Sequence, residues 1–144
     1  MSVPRVLLSC SAMLLFAMSG CGDGRPSRVP VSGQVLIDGK PLTGGTLQVI
    51  PEGDRAAYGD IGPDGRFKLS TFTDNDGCVL GKHKVVVVSR EIINAGSQRW
   101  LAPKKYSSFE ESGLNVDITG PTEDLKIDLT WDGGKPFVEN LGTE

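Results

Sequence analysis

Nineteen glycines and nine prolines interrupt nearly every window of this chain in which a helix could run. Inside a helix, glycine costs about 1 kcal/mol and proline about 3 kcal/mol relative to alanine. Between these interruptions the apolar residues alternate with period two, which places them on one face of an extended strand. Val29, Val31, Gly33, Val35 and Ile37 share such a face, and Asp38-Gly39 then supplies a turn. A second strand is expected over 46–51, with Leu47 and Val49 inward, and a weaker third over 56–61. Gly62-Pro63-Asp64-Gly65 reads as a tight turn, because proline presets the first corner and glycine accepts the difficult angle. It leads into a fourth strand over 66–71, where Phe67 and Leu69 alternate with Arg66, Lys68 and Ser70.

The run of four valines at 85–88 marks the strongest strand, 82–90. A run without alternation is expected of a central strand covered on both faces. Two further alternating segments follow: Leu114, Val116 and Ile118, then Leu125, Ile127, Leu129 and Trp131. Seven short strands with turn signals between them predict an all-β fold, a single β-sandwich with Greek-key character. Residues 91–113 read as a long irregular segment, and 132–144 as a polar, loose tail.

The first twenty residues do not fit this pattern. Arg5 precedes a stretch that carries no charge, including Val6, Leu7 and Leu8 and the residues 12–18, and the small Ser19 and Gly20 follow. That is the layout of a secretory signal peptide, shorter than the ~20 apolar residues a spanning helix needs. Met18-Ser19-Gly20-Cys21 looks like a lipobox, the site at which bacterial lipoproteins are acylated on cysteine and cut just before it; Met18 stands where leucine is usual. The sequence therefore predicts a leader over 1–20, an acylated Cys21 on a flexible Gly/Pro/Ser tether over 21–28, and a domain over 29–131. The expected partner at that end is membrane lipid, and the location extracytoplasmic, in the periplasm or at the cell surface.

Charge and cysteine content narrow the function. Without Arg5, 14 basic side chains face 18 acidic ones, a net charge of −4 with no block of one sign. Nucleic-acid binding calls for a basic patch, so it is not expected. Of the three cysteines, Cys10 leaves with the leader and Cys21 takes the lipid, which leaves Cys78 without a partner in the chain. The fold must then be stable through its core, with Cys78 as a small buried hydrophobe.

Val31-Ser32-Gly33-Gln34-Val35, Asp38-Gly39-Lys40-Pro41-Leu42 and Gly45-Thr46-Leu47-Gln48-Val49 resemble the opening of a carboxypeptidase regulatory-like domain. Asp64-Gly65-Arg66-Phe67-Lys68-Leu69 and Gly81-Lys82-His83-Lys84-Val85 are similar to that family's later signatures. Trp100-Leu101-Ala102-Pro103-Lys104-Lys105-Tyr106, with Ser112-Gly113-Leu114, resembles a group of short lipoproteins abundant in planctomycete bacteria. The resemblance covers Val29 to about Trp131 and implies a transthyretin-like (prealbumin-like) sandwich behind a lipobox. It implies no established activity.

Enzymes of related fold need side chains this chain lacks. Hydroxyisourate hydrolases use several histidines and a C-terminal Tyr-Arg-Gly-Ser, and intradiol dioxygenases bind iron with two tyrosines and two histidines. This chain has one histidine, His83, which also falls short of a zinc hydrolase. Asp74-Asn75-Asp76-Gly77 suggests a calcium loop, but Val85 occupies the position where an EF-hand needs its last carboxylate, so a turn is the better reading. Ser107, Ser108 and Ser112 have no base nearby in sequence, and nothing resembles a nucleophile elbow. Lys40 and Lys82 could donate to an isopeptide crosslink, but the last strand holds no asparagine.

No enzyme activity and no cofactor are therefore expected. The expectation is a lipid-anchored module that binds or builds, with an envelope protein or a glycan as partner; the alternative is a carbohydrate- or small-ligand-binding lipoprotein that uses residues 91–113. The candidate binding surface is Trp100, Lys104, Lys105, Tyr106 and Phe109, beside Arg99. Aromatic and cationic groups together suit a contact hot spot, and aromatic rings stack on sugars. The competing expectation is that Trp100 and Tyr106 pack the segment back over an open end of the sandwich.

Overall fold

A computed structural model describes Gly22 and residues 24–142. The leader, the lipobox and Cys21 lie outside the described residues. Among those residues the chain is all-β, with thirteen strands, one short 3-10 turn and no α-helix. No helix there is long and apolar enough to cross a membrane.

Strand β1 (Arg28–Val29) leads into β2 (Val31–Ile37), whose Val31 and Val35 are buried on one face. Asp38 and Gly39 both take positive φ, 48° and 79°. That type I′ geometry matches strand twist and folds the chain back as β3 (Lys40–Pro41). Strands β4 (Gly45–Pro51) and β5 (Ala57–Ile61) form an antiparallel pair. The turn at 62–65 then closes on a Gly65 N–H to Gly62 C=O bond of 2.9 Å and starts β6 (Arg66–Lys68). Strand β7 (Cys78–Val79) pairs with β1, and β8 (Gly81–Val88) carries the valine run. The remaining elements are β9 (Arg90–Asn94), β10 (Ser97–Trp100), a 3-10 turn (Lys104–Ser107), β11 (Leu114–Ile118), β12 (Thr122–Leu129) and β13 (Phe137–Asn140).

Two sheets dominate. One is antiparallel, in the order β11-β8-β4-β5. In the other, β2 pairs in parallel with β12 on one side, while β3 and β6 share its opposite edge. Val35, Phe67, Ile127 and Leu129 from this sheet meet Leu47, Val49, Val85, Val87 and Ile118 from the first in one core cluster. The arrangement fits a β-sandwich, and each fully buried large aliphatic side chain contributes roughly 1.5–3 kcal/mol. The β5–β6 turn joins the sheets, with Tyr58 and Ser70 exchanging backbone hydrogen bonds of 2.9 and 2.8 Å.

The central position expected for the valine strand is observed. β8 lies between β11 and β4, and Val86 and Val87, which alternate across the sheet, are both buried. Cys78 is buried too, and burial pushes its thiol up to about 11, far from a reactive thiolate.

The seven strands read from the sequence are β2, β4, β5, β6, β8, β11 and β12, and the structure adds six. The important additions correct two expectations. Residues 91–113 are not irregular throughout: β9 and β10 form a hairpin, closed by the Gly96 N–H donating to Asn94 Oδ1 at 2.9 Å. The described part of the tail is not loose: β13 pairs with β10 over four residues, and Phe137 packs edge-on against Trp131 with ring centroids 6.4 Å apart. Strands β13, β10 and β9 thus make a third sheet. Its hydrophobic pattern is inverted, with Ser97 and Gln98 buried and Ile92, Ile93 and Val138 exposed.

Candidate functional site

The third sheet decides where the five candidate residues lie. Trp100, at the end of β10, is only 3% exposed. Its Nε1–H donates to Glu139 Oε2 at 2.8 Å. Gln98 donates to the same oxygen at 2.7 Å, and Lys104 Nζ reaches Glu139 Oε1 at 2.6 Å. Arg90 completes the network by donating to Gln98 Oε1 at 2.9 Å. Tyr106, also buried, accepts from the Thr130 N–H at 3.1 Å and donates to the Thr130 C=O at 3.3 Å. Lys105 pairs with Asp132 at 2.8 Å.

Four of the five residues therefore work as a clamp. Trp100 and Tyr106 pack inward and offer no contact surface, which corrects their place in the candidate set. Lys104 and Lys105 tie the segment to the chain beyond β12. Tyr106 joins the sandwich core cluster, whereas Trp100 packs in the third sheet, bonded to Glu139.

Glu139 is the hub of this clamp. Hydrogen bonds from Lys104, then Trp100, then Gln98 lower its carboxyl to about 2. A carboxylate whose pKa falls on folding stabilises the fold fully above its unfolded value, about 4.3, and loses that contribution as pH drops toward the folded value. Amide exchange at residues 137–140, corrected for intrinsic rate, should therefore lose protection between about pH 4 and pH 2. Glu139→Gln should show lowered protection already at pH 6. Equal protection of variant and parent at pH 6 would mean that the carboxylate does not hold β13.

Phe109 behaves differently. It lies just past the 3-10 turn, is 43% exposed, and sits against the outer face of the β11-β8-β4-β5 sheet. Lys84 on β8 places Nζ 4.2 Å from its ring centroid. Period two explains the meeting: Lys82 and Lys84 point outward, whereas His83 between them points into the core at 2% exposure. Around Phe109 the face forms a depression of about 450 Å³, lined also by Ile50, Glu52, Lys82, Lys84 and Asn115. That lies within the roughly 300–1,000 Å³ common for small-molecule sites. Sequence reasoning named Phe109 but missed Ile50, Glu52, Lys82, Lys84 and Asn115. They come from three separate parts of the chain, and the only local signal was the outward phase of the strands.

The other constellations resolve as structural parts. His83 Nε2 lies 2.9 Å from the Val79 C=O, so that nitrogen carries the hydrogen and the ring serves the core. Asp76 accepts backbone N–H groups from Thr71, Phe72 and Thr73 and pairs with Arg28 at 2.9 Å. Burial alone would raise its carboxyl, but these donors and Arg28 outweigh it and hold the group below the usual range. Asp76 thus closes a turn. The Ser107 and Ser108 hydroxyls donate within the loop, to the Lys104 C=O and to Glu110.

In comparisons with protein-family models, curated proteins and solved structures, nothing matches the chain.

Proposed function

We propose that this chain is a lipid-anchored protein of a bacterial envelope, held by acylated Cys21 and presenting a non-enzymatic binding or structural module. The proposal extends to fold detail: a seven-stranded Greek-key sandwich of transthyretin-like type, elaborated by the third sheet. The Arg5-led apolar stretch and the Met18-Ser19-Gly20-Cys21 motif support the anchor and the extracytoplasmic location.

The observation that carries the module reading is strand β9. All five of its residues are exposed, with Ile92 at 66% and Ile93 at 45%, and among the described residues only one of its edges is paired. An open edge of this kind can take an added strand from another polypeptide, with backbone hydrogen bonds giving affinity and alternate side chains giving selectivity. A photo-crosslinking residue at position 92, activated in the native envelope, should give one discrete protein adduct, lost when Ile93→Lys is added. A folded, membrane-bound protein that gives no adduct at position 92 would sink the edge-strand reading. The anchor has a separate test: the parent should partition into detergent and Cys21→Ser into the aqueous phase.

A second reading, a lipoprotein that binds carbohydrate or another small ligand, is favoured by the depression under Phe109. It shares the anchor and uses a different surface.

A further inference from the structure

We infer that the Phe109 depression binds an acidic saccharide, with one sugar ring against the Phe109 phenyl and its anionic substituent on Lys84. This rests on the ligand-binding reading and names its ligand class.

The strand register separates the two lysines. Asp117 on β11 stands opposite Lys82, and Glu52 lies one residue beyond Pro51, which is paired with His83. Lys82 is therefore flanked by carboxylates on both sides. Lys84 has uncharged cross-strand neighbours, Asn115 on β11 and Ile50 on β4. Among the described residues neither lysine forms an ion pair. Lys104, Lys105 and Lys126 each pair with a carboxylate, whereas Lys40, Lys68 and Lys135 stand exposed and, among the described residues, form no ion pair, like Lys82 and Lys84. Lys84 is held over the Phe109 ring, its ammonium attracted to the negative face of the ring. It thus keeps a positive charge at the depression with no acidic neighbour across either strand.

The remaining groups suit a sugar rather than a bare anion. A phosphate or carboxylate alone would leave Phe109 and Ile50 uncovered, whereas the apolar C–H face of a sugar ring covers them. Sugar hydroxyls both donate and accept. Glu52 can only accept, Lys82 can only donate, and Asn115 can do both. The Asn115 amide N–H already donates to the Gly113 C=O at 3.3 Å, which leaves its Oδ1 available to a hydroxyl.

The test uses the full-length lipoprotein in detergent micelles and an array of acidic oligosaccharides, each printed beside its uncharged counterpart. Hits are then titrated by calorimetry. At least one acidic saccharide should bind saturably and tenfold or more tighter than its uncharged counterpart. Phe109→Ala and Lys84→Gln should each weaken that binding at least tenfold while lowering the melting temperature by no more than a few degrees, and Lys84→Arg should retain it. Equal binding of charged and uncharged counterparts, lost in Phe109→Ala, would overturn the acidic class while keeping a saccharide site. Absence of saturable binding to any saccharide would overturn both the inference and the carbohydrate half of the ligand-binding reading. Binding that survives Phe109→Ala would be general charge attraction and would also overturn the inference.

Discussion

Gly33→Ala should lower the melting temperature by more than 10 °C. Gly33 lies in β2, directly opposite Leu125 of the parallel strand β12. A Cβ at position 33 would sit 2.0 Å from the Leu125 carbonyl oxygen, 2.7 Å from its carbon and 2.9 Å from its Cα. All three atoms are backbone, so no side chain can rotate away. The ladder must shift where its register is already irregular, between Thr122 and Leu125. Overpacking typically costs about 1–3 kcal/mol, and a backbone collision inside a sheet belongs at or above the top of that range. For a domain of this size each 1 kcal/mol moves the midpoint by roughly 4–8 °C. Gly120→Ala is the control, because nothing lies within 4 Å of its added Cβ; it should stay within about 0.5 kcal/mol of the parent. A Gly33→Ala protein that melts within 3 °C of the parent would refute the close β2–β12 approach.

Trp100→Ala is expected to be comparably damaging. It removes a ring that is 3% exposed and takes one donor from Glu139. Truncating a buried tryptophan typically costs about 3–5 kcal/mol. The loss should show first in the third sheet, as faster proteolysis at 137–140, and then as a lower urea midpoint with the same slope. Phe109→Ala, at 43% exposure, should change the midpoint by less than about 1 kcal/mol. The pair separates two roles within one loop: a stabilising clamp at Trp100 and an exposed surface at Phe109. Similar midpoint losses in both variants would contradict the division.

Both substitutions mark the limit of what local sequence can show. The strands β2, β4, β8, β11 and β12 were legible because each buries a regular apolar face, and period two exposes that face in any short window. Turns at Asp38-Gly39 and 62–65 were legible because their residues tolerate the required angles. The β9–β10 hairpin was hidden for the opposite reason. Its buried positions include the polar Ser97 and Gln98 beside Trp100, and its exposed ones Ile92 and Ile93, so a hydrophobicity reading assigns most of the inside wrongly. β13 was hidden in the same way, since Phe137 and Val138 face solvent while Glu139 gathers the hydrogen bonds.

The candidate site shows the same division. Aromatic and basic residues in 91–113 drew notice by composition alone, which cannot distinguish a ring that packs from a ring that presents. Pairing of β10 with β13 around Trp100, and packing of the 3-10 turn against β8 at Tyr106, draw that line against Phe109.

Sequence alone determined that the chain is all-β, which stretches become its principal strands, where the tight turns fall and which side chains of those strands face inward. These follow from torsional preference and from alternation along a few consecutive residues. Tertiary structure decided that β2 lies parallel to β12, that the tail closes a third sheet through Glu139, and that Lys84, Phe109 and Asn115 meet on one face. Each joins residues distant along the chain, and their pairing depends on which surfaces remain to be covered once the local elements have formed.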